Sequence, residues 1–199
     1  KRKICMDPRY PDIPEESFTK HDWYDFYRDA KEKIPPDAPK PRGRYVTTHC
    51  FVDANHAGCK KTRKSVTGVL IFINKAPVIF YSKKQNTVEV STFGAEFVAM
   101  RTAVEMIEAL RIKLRYFGVP VEGPTDVFCD NQSVFTNVST PESTLKKKHL
   151  GICYHRCREA VAAEVIRVAK EHTSTNLADL FTKCLSYDDR ERLLDYFTY

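Results

Sequence analysis

The chain has 199 residues, of which 42% are hydrophobic and 29% are charged. This length and composition suit one globular domain with an appended segment, and they exclude a chain that is disordered throughout. Lysine and arginine number 32 against 26 acidic residues, which gives a formal net charge of +6. An excess of this size is compatible with a polyanionic partner but does not require one.

The cysteines and the apolar segments indicate the compartment. The seven cysteines form an odd set without a repeated spacing, which favours a reducing, intracellular location over a disulfide framework. The sequence contains no apolar run of membrane-spanning length, and its start lacks the apolar part of a secretory signal, so we expect no membrane partner. Because the first residue is not methionine, we expect a piece of a longer protein.

A zinc site is one alternative use of the cysteines. His149, Cys153 and Cys157 are four residues apart and could share one face of a helix. Structural zinc sites usually have four ligands with a paired spacing, and the sequence offers no second pair. We therefore expect these three side chains to be half-buried helix residues.

Residues 1–44 differ from the rest of the chain. They contain seven of the eleven prolines, with a helix-like segment around 17–33 between the two proline groups. Proline on both sides of a short helix predicts an extended connector or packing arm rather than a second domain. We place the regular domain, with a C-terminal helical extension, at 45–199.

The regular domain begins with three predicted strands. An apolar run ends near Asp53, and two β-rich runs follow at 66–73 and 76–81. The last two runs are separated by Asn74-Lys75, a connection typical of a hairpin. Three consecutive strands predict an antiparallel sheet.

Helical periodicity begins after Ser91 and Thr92, either of which can cap a helix. Apolar residues then recur at steps of three or four as far as Phe117, and Gly118 predicts the end of this helix. Further along the chain, the pattern predicts strands at 125–129 and 165–169 and helices that begin near 131, 149, 175 and 188.

Four acidic residues stand where these elements begin or end. Asp53 and Asp130 end predicted strands, whereas Glu96 and Asp179 lie in the first turns of predicted helices. A single aspartate in such a place is usually a turn former, and a first-turn glutamate usually complements the helix dipole. Four carboxylates delivered to one cavity would instead supply the oxygen ligands that a hard cation such as Mg²⁺ requires.

Six short motifs follow one another between about Tyr45 and Lys183. They are Phe51-Val52-Asp53-Ala54, Tyr81-Ser82-Lys83-Lys84-Gln85, Gly94-Ala95-Glu96-Phe97-Val98-Ala99, Cys129-Asp130-Asn131-Gln132-Ser133, Lys148-His149 with Tyr154-His155, and Leu177-Ala178-Asp179-Leu180-Phe181-Thr182-Lys183. In this order they resemble the ribonuclease H domain of copia-type retrotransposon polyproteins. Each motif alone is weak, but six in one order make the resemblance specific.

The resemblance implies an α/β, ribonuclease H-like fold, in which helices flank a mixed five-stranded sheet whose first three strands are antiparallel. It also implies endonucleolytic hydrolysis of the RNA strand of RNA–DNA hybrids with two Mg²⁺ ions, for which Mn²⁺ is an alternative. Asp53, Glu96, Asp130 and Asp179 would be the catalytic metal ligands, and Asp53 would bridge both ions. The implied partner is an upstream reverse transcriptase domain of the same polyprotein, in the cytoplasm, a virus-like particle or the nucleus.

Two positions depart from the family pattern, because Asn55 and Cys59 stand where copia-type sequences often have aspartate. Neither is a catalytic position, so the departures concern turn stability or substrate grip rather than chemistry. His172 precedes Asp179 in the loop where related ribonucleases H place a histidine that assists proton transfer or product departure. It is therefore a candidate proton relay, and an ordinary surface histidine is the alternative.

Basic and polar residues around the motifs are candidates for contacts with nucleic acid. Ordinary solvated surface is the alternative for each basic run. The asparagine, glutamine and serine after Asp130 carry groups that suit the 2′-hydroxyls of a hybrid. The complete candidate set is Lys60, Lys61, Arg63, Lys64, Lys83, Lys84, Asn131, Gln132, Ser133, Lys146, Lys147, Lys148, His149 and His155.

Two other functions stay open on the sequence: a degenerate domain that only binds nucleic acid or connects other domains, and a transposase or integrase core on the same fold. Integrase-type cores carry their acids in the order Asp, Asp, Glu, whereas here Glu96 lies between Asp53 and Asp130. That order favours a ribonuclease H. Tyr187-Asp188-Asp189 is similar to a reverse transcriptase box but lacks its intervening residue, so we expect Asp188 to cap a helix instead.

Overall fold

The computed structural model describes residue 3 and residues 14–198, and its central feature is a five-stranded mixed sheet. The strands are β1 Thr48–Asn55, β2 Val66–Ile73, β3 Ala76–Lys84, β4 Thr125–Cys129 and β5 Ile166–Lys170. The helices are α1 Tyr24–Tyr27, α2 Thr92–Tyr116, α3 Gln132–Ser139, α4 Gly151–Ala162, α5 Asp179–Thr182 and α6 Tyr187–Leu194. In the described part of the chain, no helix is both long and apolar enough to cross a membrane.

The sheet has the strand order β3-β2-β1-β4-β5. The first three strands pair antiparallel, whereas β4 pairs parallel with β1 and with β5. This arrangement confirms the predicted mixed sheet. The hairpin between β2 and β3 turns at Asn74-Lys75, also as predicted, and Asn74 has φ 52°, a left-handed conformation that asparagine adopts more readily than most residues.

Side chains alternate between the two faces of the sheet, and each face has its own buried core. On β1, Cys50 and Val52 belong to the larger core under α2, α3 and α4. Phe51, between them, belongs to the smaller core under the chain that follows β5, which we call the C-terminal segment. The domain therefore has helical layers on both faces of the sheet.

α2 is the longest helix, and its ends lie where the sequence predicts them. The Ser91 hydroxyl caps the first turn by accepting a hydrogen bond from the Gly94 amide at 3.3 Å. The helix ends at Tyr116, and Gly118 follows with φ 69°, the left-handed conformation that commonly terminates helices. Both signals are local in sequence, which is why they could be recognised without the structure.

The length predicted for the short helix around 17–33 is wrong, because only a single turn of it forms. This part of the chain has only the end of a 3-10 helix, Glu15–Ser17, and the single turn α1. Its side chains dock separately on the domain instead. Phe18 enters the smaller core, and Glu32 forms an ion pair with Arg111 at 2.7 Å. Contacts with the domain, rather than helix propensity, determine the path of this segment.

The expected cap of the last helix is also wrong. α6 begins one residue earlier than predicted, at Tyr187, and Ser186 is the residue before it. The Ser186 hydroxyl accepts a hydrogen bond from the Asp189 amide at 3.1 Å, so serine rather than Asp188 caps the helix. Asp188 lies in the first turn, where its charge complements the helix dipole.

A buried arginine on α4 organises the chain that follows α3. The Arg158 side chain is only 2% exposed. The end of a helix leaves carbonyls without intrahelical donors, and the guanidinium supplies donors at such a place. Its acceptors are the carbonyls of Asn137, Thr140 and Pro141 and the hydroxyl of Ser143.

Aromatic side chains of the connector and of α4 surround this guanidinium. The Arg158 carbon Cζ lies 4.8 Å from the Trp23 ring centroid and 4.6 Å from the Tyr154 centroid, distances that suit cation–π attraction. Phe26 and Tyr27 lie around it at 5.7 and 5.8 Å. The boundary between a connector at 1–44 and a domain at 45–199 stays a prediction, and these contacts favour a packing arm over a free linker.

Trp23→Ala is expected to destabilise the protein by about 3 kcal/mol, because it removes a buried ring and uncovers a buried guanidinium. Tyr24→Ala is the matched control, since the Tyr24 ring is 56% exposed, and it should change the free energy of unfolding by about 0.5 kcal/mol or less. Chemical denaturation measures both. Equal effects of the two substitutions would show that the connector packs loosely on Arg158.

Candidate active site

Several elements deliver polar residues to one edge of the sheet. β1, β4 and β5 run parallel, so their carboxyl ends lie at the same edge. Asp53 lies near the end of β1, Asp130 directly follows β4, and His172 follows β5 after one intervening residue. The start of α2 brings Glu96 to the same place.

The carboxylates of Asp53, Glu96 and Asp130 lie together at this edge. One oxygen from each lies within 4.8 Å of the oxygens of the other two. Asp53 is 1% exposed and Glu96 is 6% exposed, so two of the three charges are shielded from water. Three hard oxygen ligands at this separation can bind a divalent cation.

Asp179 approaches from the C-terminal segment and is joined to this group by a lysine. The Lys183 Nζ donates to Oδ1 of Asp179 at 2.7 Å, and the same Nζ lies 3.4 Å from Oδ1 of Asp53. Asp179 itself is not one of the three acids whose oxygens meet within 4.8 Å. Sequence reasoning placed Lys183 in a motif but gave it no role.

The C-terminal segment also holds Asp53 through uncharged groups. The Thr182 hydroxyl donates to Oδ2 of Asp53, and the buried Asn176 side chain donates to the Val52 carbonyl at 3.0 Å. Gly68 on β2 permits this approach, since a Cβ there would lie 2.6 Å from the Thr182 methyl group. Sequence reasoning missed both contacts, although isolated polar residues in an otherwise apolar segment were an available signal.

Burial and mutual repulsion shift the proton affinities of the acids. Burial raises the pKa of Glu96 well above its usual value, and the charges of Asp53 and Asp130 raise it further. Burial and the charge of Asp53 also raise the pKa of Asp130. Burial raises the pKa of Asp179 to about 6, although the hydrogen bond from Lys183 opposes this shift. Protons and metal ions therefore compete for the same carboxylates.

His172 lies in the exposed loop after β5. Its Nδ1 contacts the Ser174 hydroxyl at 2.7 Å. The next residue, Thr173, lies close enough to Asp130 to oppose the rise in its pKa, so this loop borders the acidic group. A proton relay through His172 stays a prediction.

Two of the basic groups lie at the same edge of the sheet. The turn between β1 and β2 carries Lys60, Lys61, Arg63 and Lys64, and the end of β3 carries Lys83 and Lys84. The register pairs Asn55 with Val66 and Val66 with Lys84, which brings the end of β3 level with the end of β1. Contact of these side chains with phosphate stays a prediction.

The third basic group precedes α4. The Lys147 ammonium donates to the Ser91 hydroxyl at the start of α2, and His149 Nε2 lies 3.4 Å from a Glu89 carboxylate oxygen. Lys146 and Lys148 beside them are exposed. His155 lies apart from this group, where its Nδ1 contacts the Tyr27 hydroxyl of the connector at 2.6 Å.

The polar residues after Asp130 begin α3. The Asn131 side chain caps this helix by accepting hydrogen bonds from the amides of Ser133 and Val134 at 3.0 and 3.1 Å. Gln132 and Ser133 are exposed beside Asp130 and are free of the core. Of the three side chains considered for zinc, Cys153 is half-buried in α4 as expected, whereas Cys157 is fully buried there and His149 is exposed before the helix begins.

The raised pKa values predict a pH-dependent effect of Glu96→Gln in the metal-free protein. Unfolded carboxyl groups titrate near pH ~4. Above that pH, and up to the higher pKa values of the folded state, the folded protein holds more protons than the unfolded protein. The free energy of unfolding therefore falls as the pH rises through this range. The variant lacks one of the charges. Its Tm minus that of the wild type should therefore increase as the pH rises from about 4 through the raised pKa of Glu96.

Glu122→Gln is the control for this comparison, because Glu122 is an exposed residue outside the acidic group. It should leave the Tm difference independent of pH. Mg²⁺ should raise the Tm of the wild type more than that of Glu96→Gln, since the variant lacks one proposed ligand. A Glu96→Gln difference that does not change with pH would contradict the electrostatic account.

The sequence is similar to part of several transposon proteins, although no protein-family model matches it. It is 35% identical over 134 residues to the retrovirus-related Pol polyprotein from transposon TNT 1-94 of Nicotiana tabacum, covering 67% of this chain. It is 29% identical over 145 residues to that from transposon RE1 of Arabidopsis thaliana, covering 73% of this chain. In both cases the chain spans about 10% of the relative's length.

Solved structures identify the fold. The N-terminal RNase H domain of a Mycobacterium tuberculosis protein, solved as a fusion with maltose-binding protein, has a TM-score of 0.52 and 12% identity, covering 75% of this chain and 96% of that one. RNase H1 from Halobacterium salinarum has a TM-score of 0.52 and 15% identity, covering 75% and 98%. The chain therefore belongs with the retrovirus-related Pol polyproteins of plant transposons, as a segment that has the ribonuclease H fold.

Proposed function

We propose that this chain is a metal-dependent ribonuclease H that hydrolyses the RNA strand of RNA–DNA hybrids. The observation that carries the proposal is the meeting of Asp53, Glu96 and Asp130 within 4.8 Å. These acids lie at the carboxyl edge of a ribonuclease H-like sheet. Transposon Pol polyproteins among the relatives support a hybrid as the substrate and an upstream reverse transcriptase domain as the partner.

The donor set fits Mg²⁺ or Mn²⁺. The ligand group among the described residues is made of carboxylates, which hard cations prefer, and it includes none of the nitrogen or sulfur ligands typical of zinc. When bound, two such ions would activate a water molecule and stabilise the oxygen that departs from phosphorus. Asp53, Glu96, Asp130 and Asp179 would hold them.

The protein's own residues prepare the site for that chemistry. Thr182 and Asn176 fix Asp53 and its strand, so the ligand geometry exists before a substrate arrives. The basic turn after β1 and the end of β3 would bind phosphates beside the acids. Gln132 and Ser133 at the start of α3 would read the 2′-hydroxyls that distinguish a hybrid from duplex DNA.

Asp130→Asn tests catalysis directly, because Asp130 is half-buried and the substitution preserves its shape. We expect cleavage of a labelled RNA–DNA hybrid with Mg²⁺ to fall at least about a hundredfold, since the variant loses a charged ligand. Asp188→Asn, in the exposed first turn of α6, should cleave like the wild type. Gel analysis measures all three proteins. Equal cleavage by the wild type and Asp130→Asn would overturn the catalytic assignment.

A salt titration tests the proposed phosphate contacts. The double substitution of Lys60 and Lys61 by alanine should weaken hybrid binding, and each lost phosphate contact should reduce the slope of log K against log salt by about 0.9. Lys113→Ala is the control, because Lys113 lies in the last turn of α2, at the end of the helix away from Glu96. Fluorescence anisotropy supplies the affinities. An unchanged slope would place the hybrid elsewhere on the protein.

Two other functions make different predictions for the same experiments. A degenerate domain would bind the hybrid and leave it intact in the wild type as well as in Asp130→Asn. A transposase or integrase core would cut duplex DNA in preference to hybrid. The position of Glu96 on α2, between Asp53 and Asp130 in sequence, favours the ribonuclease H.

A further inference from the structure

Lys183 occupies an unusual position for a surface lysine. It follows Asp179 by one helical turn and caps α5, where its amide donates to the Asp179 carbonyl at 3.0 Å. Its ammonium turns inward and contacts Oδ1 of both Asp179 and Asp53. The other oxygen of Asp53 is taken by Thr182. Neighbouring residues of one segment thus engage both oxygens of the most buried acid.

The two carboxylates that contact this ammonium repel each other unless a cation lies beside them. Asp53 and Asp179 are 1% and 6% exposed, and two carboxylates shielded from water repel each other strongly. Among residues 14–198, Lys183 is the cation that forms ion pairs with Asp53 and Asp179. Its side chain is 32% exposed, so it is partly desolvated and yet has a path to solvent.

We propose that Lys183 is a built-in counter-cation that stabilises Asp53 and Asp179 in the metal-free protein and competes with a divalent ion for these two carboxylates. This inference rests on the function proposed above and deepens it. Two cations cannot share the same carboxylate oxygens at close range without repulsion. The long lysine side chain at the end of a four-residue helix can leave the acids when the ion binds. The displaced ammonium would then point to solvent, where a phosphate of the nucleic acid can bind it.

The test compares Mn²⁺ affinity without nucleic acid in the wild type, Lys183→Gln and Lys183→Arg. Electron paramagnetic resonance of free Mn²⁺ measures the dissociation constants. We expect Lys183→Gln to bind Mn²⁺ at least about fivefold more tightly, because the competing charge is gone. Lys183→Arg keeps the charge and should bind nearly like the wild type. Lys113→Gln, which removes an exposed charge at the far end of α2, controls for net charge.

Thermal melting supplies a second measurement that does not depend on catalysis. Without metal, Lys183→Gln should melt at a lower temperature than the wild type, because Asp53 and Asp179 then repel without compensation. Saturating Mn²⁺ should remove this deficit. A lysine that only supports the fold would give the opposite affinity result, since its loss would loosen the ligands and weaken Mn²⁺ binding.

The outcomes separate this inference from the proposed function. Equal or weaker Mn²⁺ binding by Lys183→Gln would overturn the role of Lys183 and leave the nuclease proposal standing. Tighter binding without hybrid cleavage by the wild type would support the counter-cation and overturn the nuclease. If none of the proteins binds Mn²⁺, both proposals fail.

Discussion

The arrangement of this domain depends on holding like charges together where water cannot screen them. Asp53 lies near the end of the central strand of the sheet and is almost fully buried, with Glu96 and Asp130 beside it. Such a group is unfavourable on its own, because each ionised carboxylate loses hydration and repels the others. The rest of the fold must supply the free energy that keeps the group assembled. The two hydrophobic cores on either side of the sheet do so.

The C-terminal segment compensates part of this repulsion. Asn176, Thr182 and Lys183 approach the end of β1 from one short stretch of chain and bring a hydroxyl donor and an ammonium to Asp53. The approach requires a glycine on the neighbouring strand, since any side chain at Gly68 would collide with Thr182. A divalent ion would complete the compensation. The same electrostatics thus link the stability of the segment to the capacity of the site for cations.

Predictions from the sequence succeed here where a signal is local. The hairpin at Asn74-Lys75 and the ends of α2 follow from turn and cap residues, and the structure confirms them. The expected convergence of acids rests on their positions at strand ends and in the first turns of helices. Position at a strand or helix end could therefore be recognised, whereas the contacts of Asp53 with Thr182 and Lys183 depend on how the chain after β5 folds back onto the sheet.

The failures arise where tertiary contacts override local preference. The connector has enough helix-forming residues to suggest a helix around 17–33, but Phe18, Trp23 and Glu32 each pack against a different part of the domain. A continuous helix could not place all three. Likewise, no sequence pattern reveals that Arg158 is buried, because its partners are main-chain carbonyls and rings distant in sequence.

The most direct test of the central claim is a crystal structure with Mn²⁺, measured at a wavelength where manganese scatters anomalously. The account predicts an anomalous peak coordinated by oxygens of Asp53, Glu96 and Asp130. Anomalous density elsewhere, or carboxylates that point to separate places with no ion between them, would contradict the claim that these acids form a cation site.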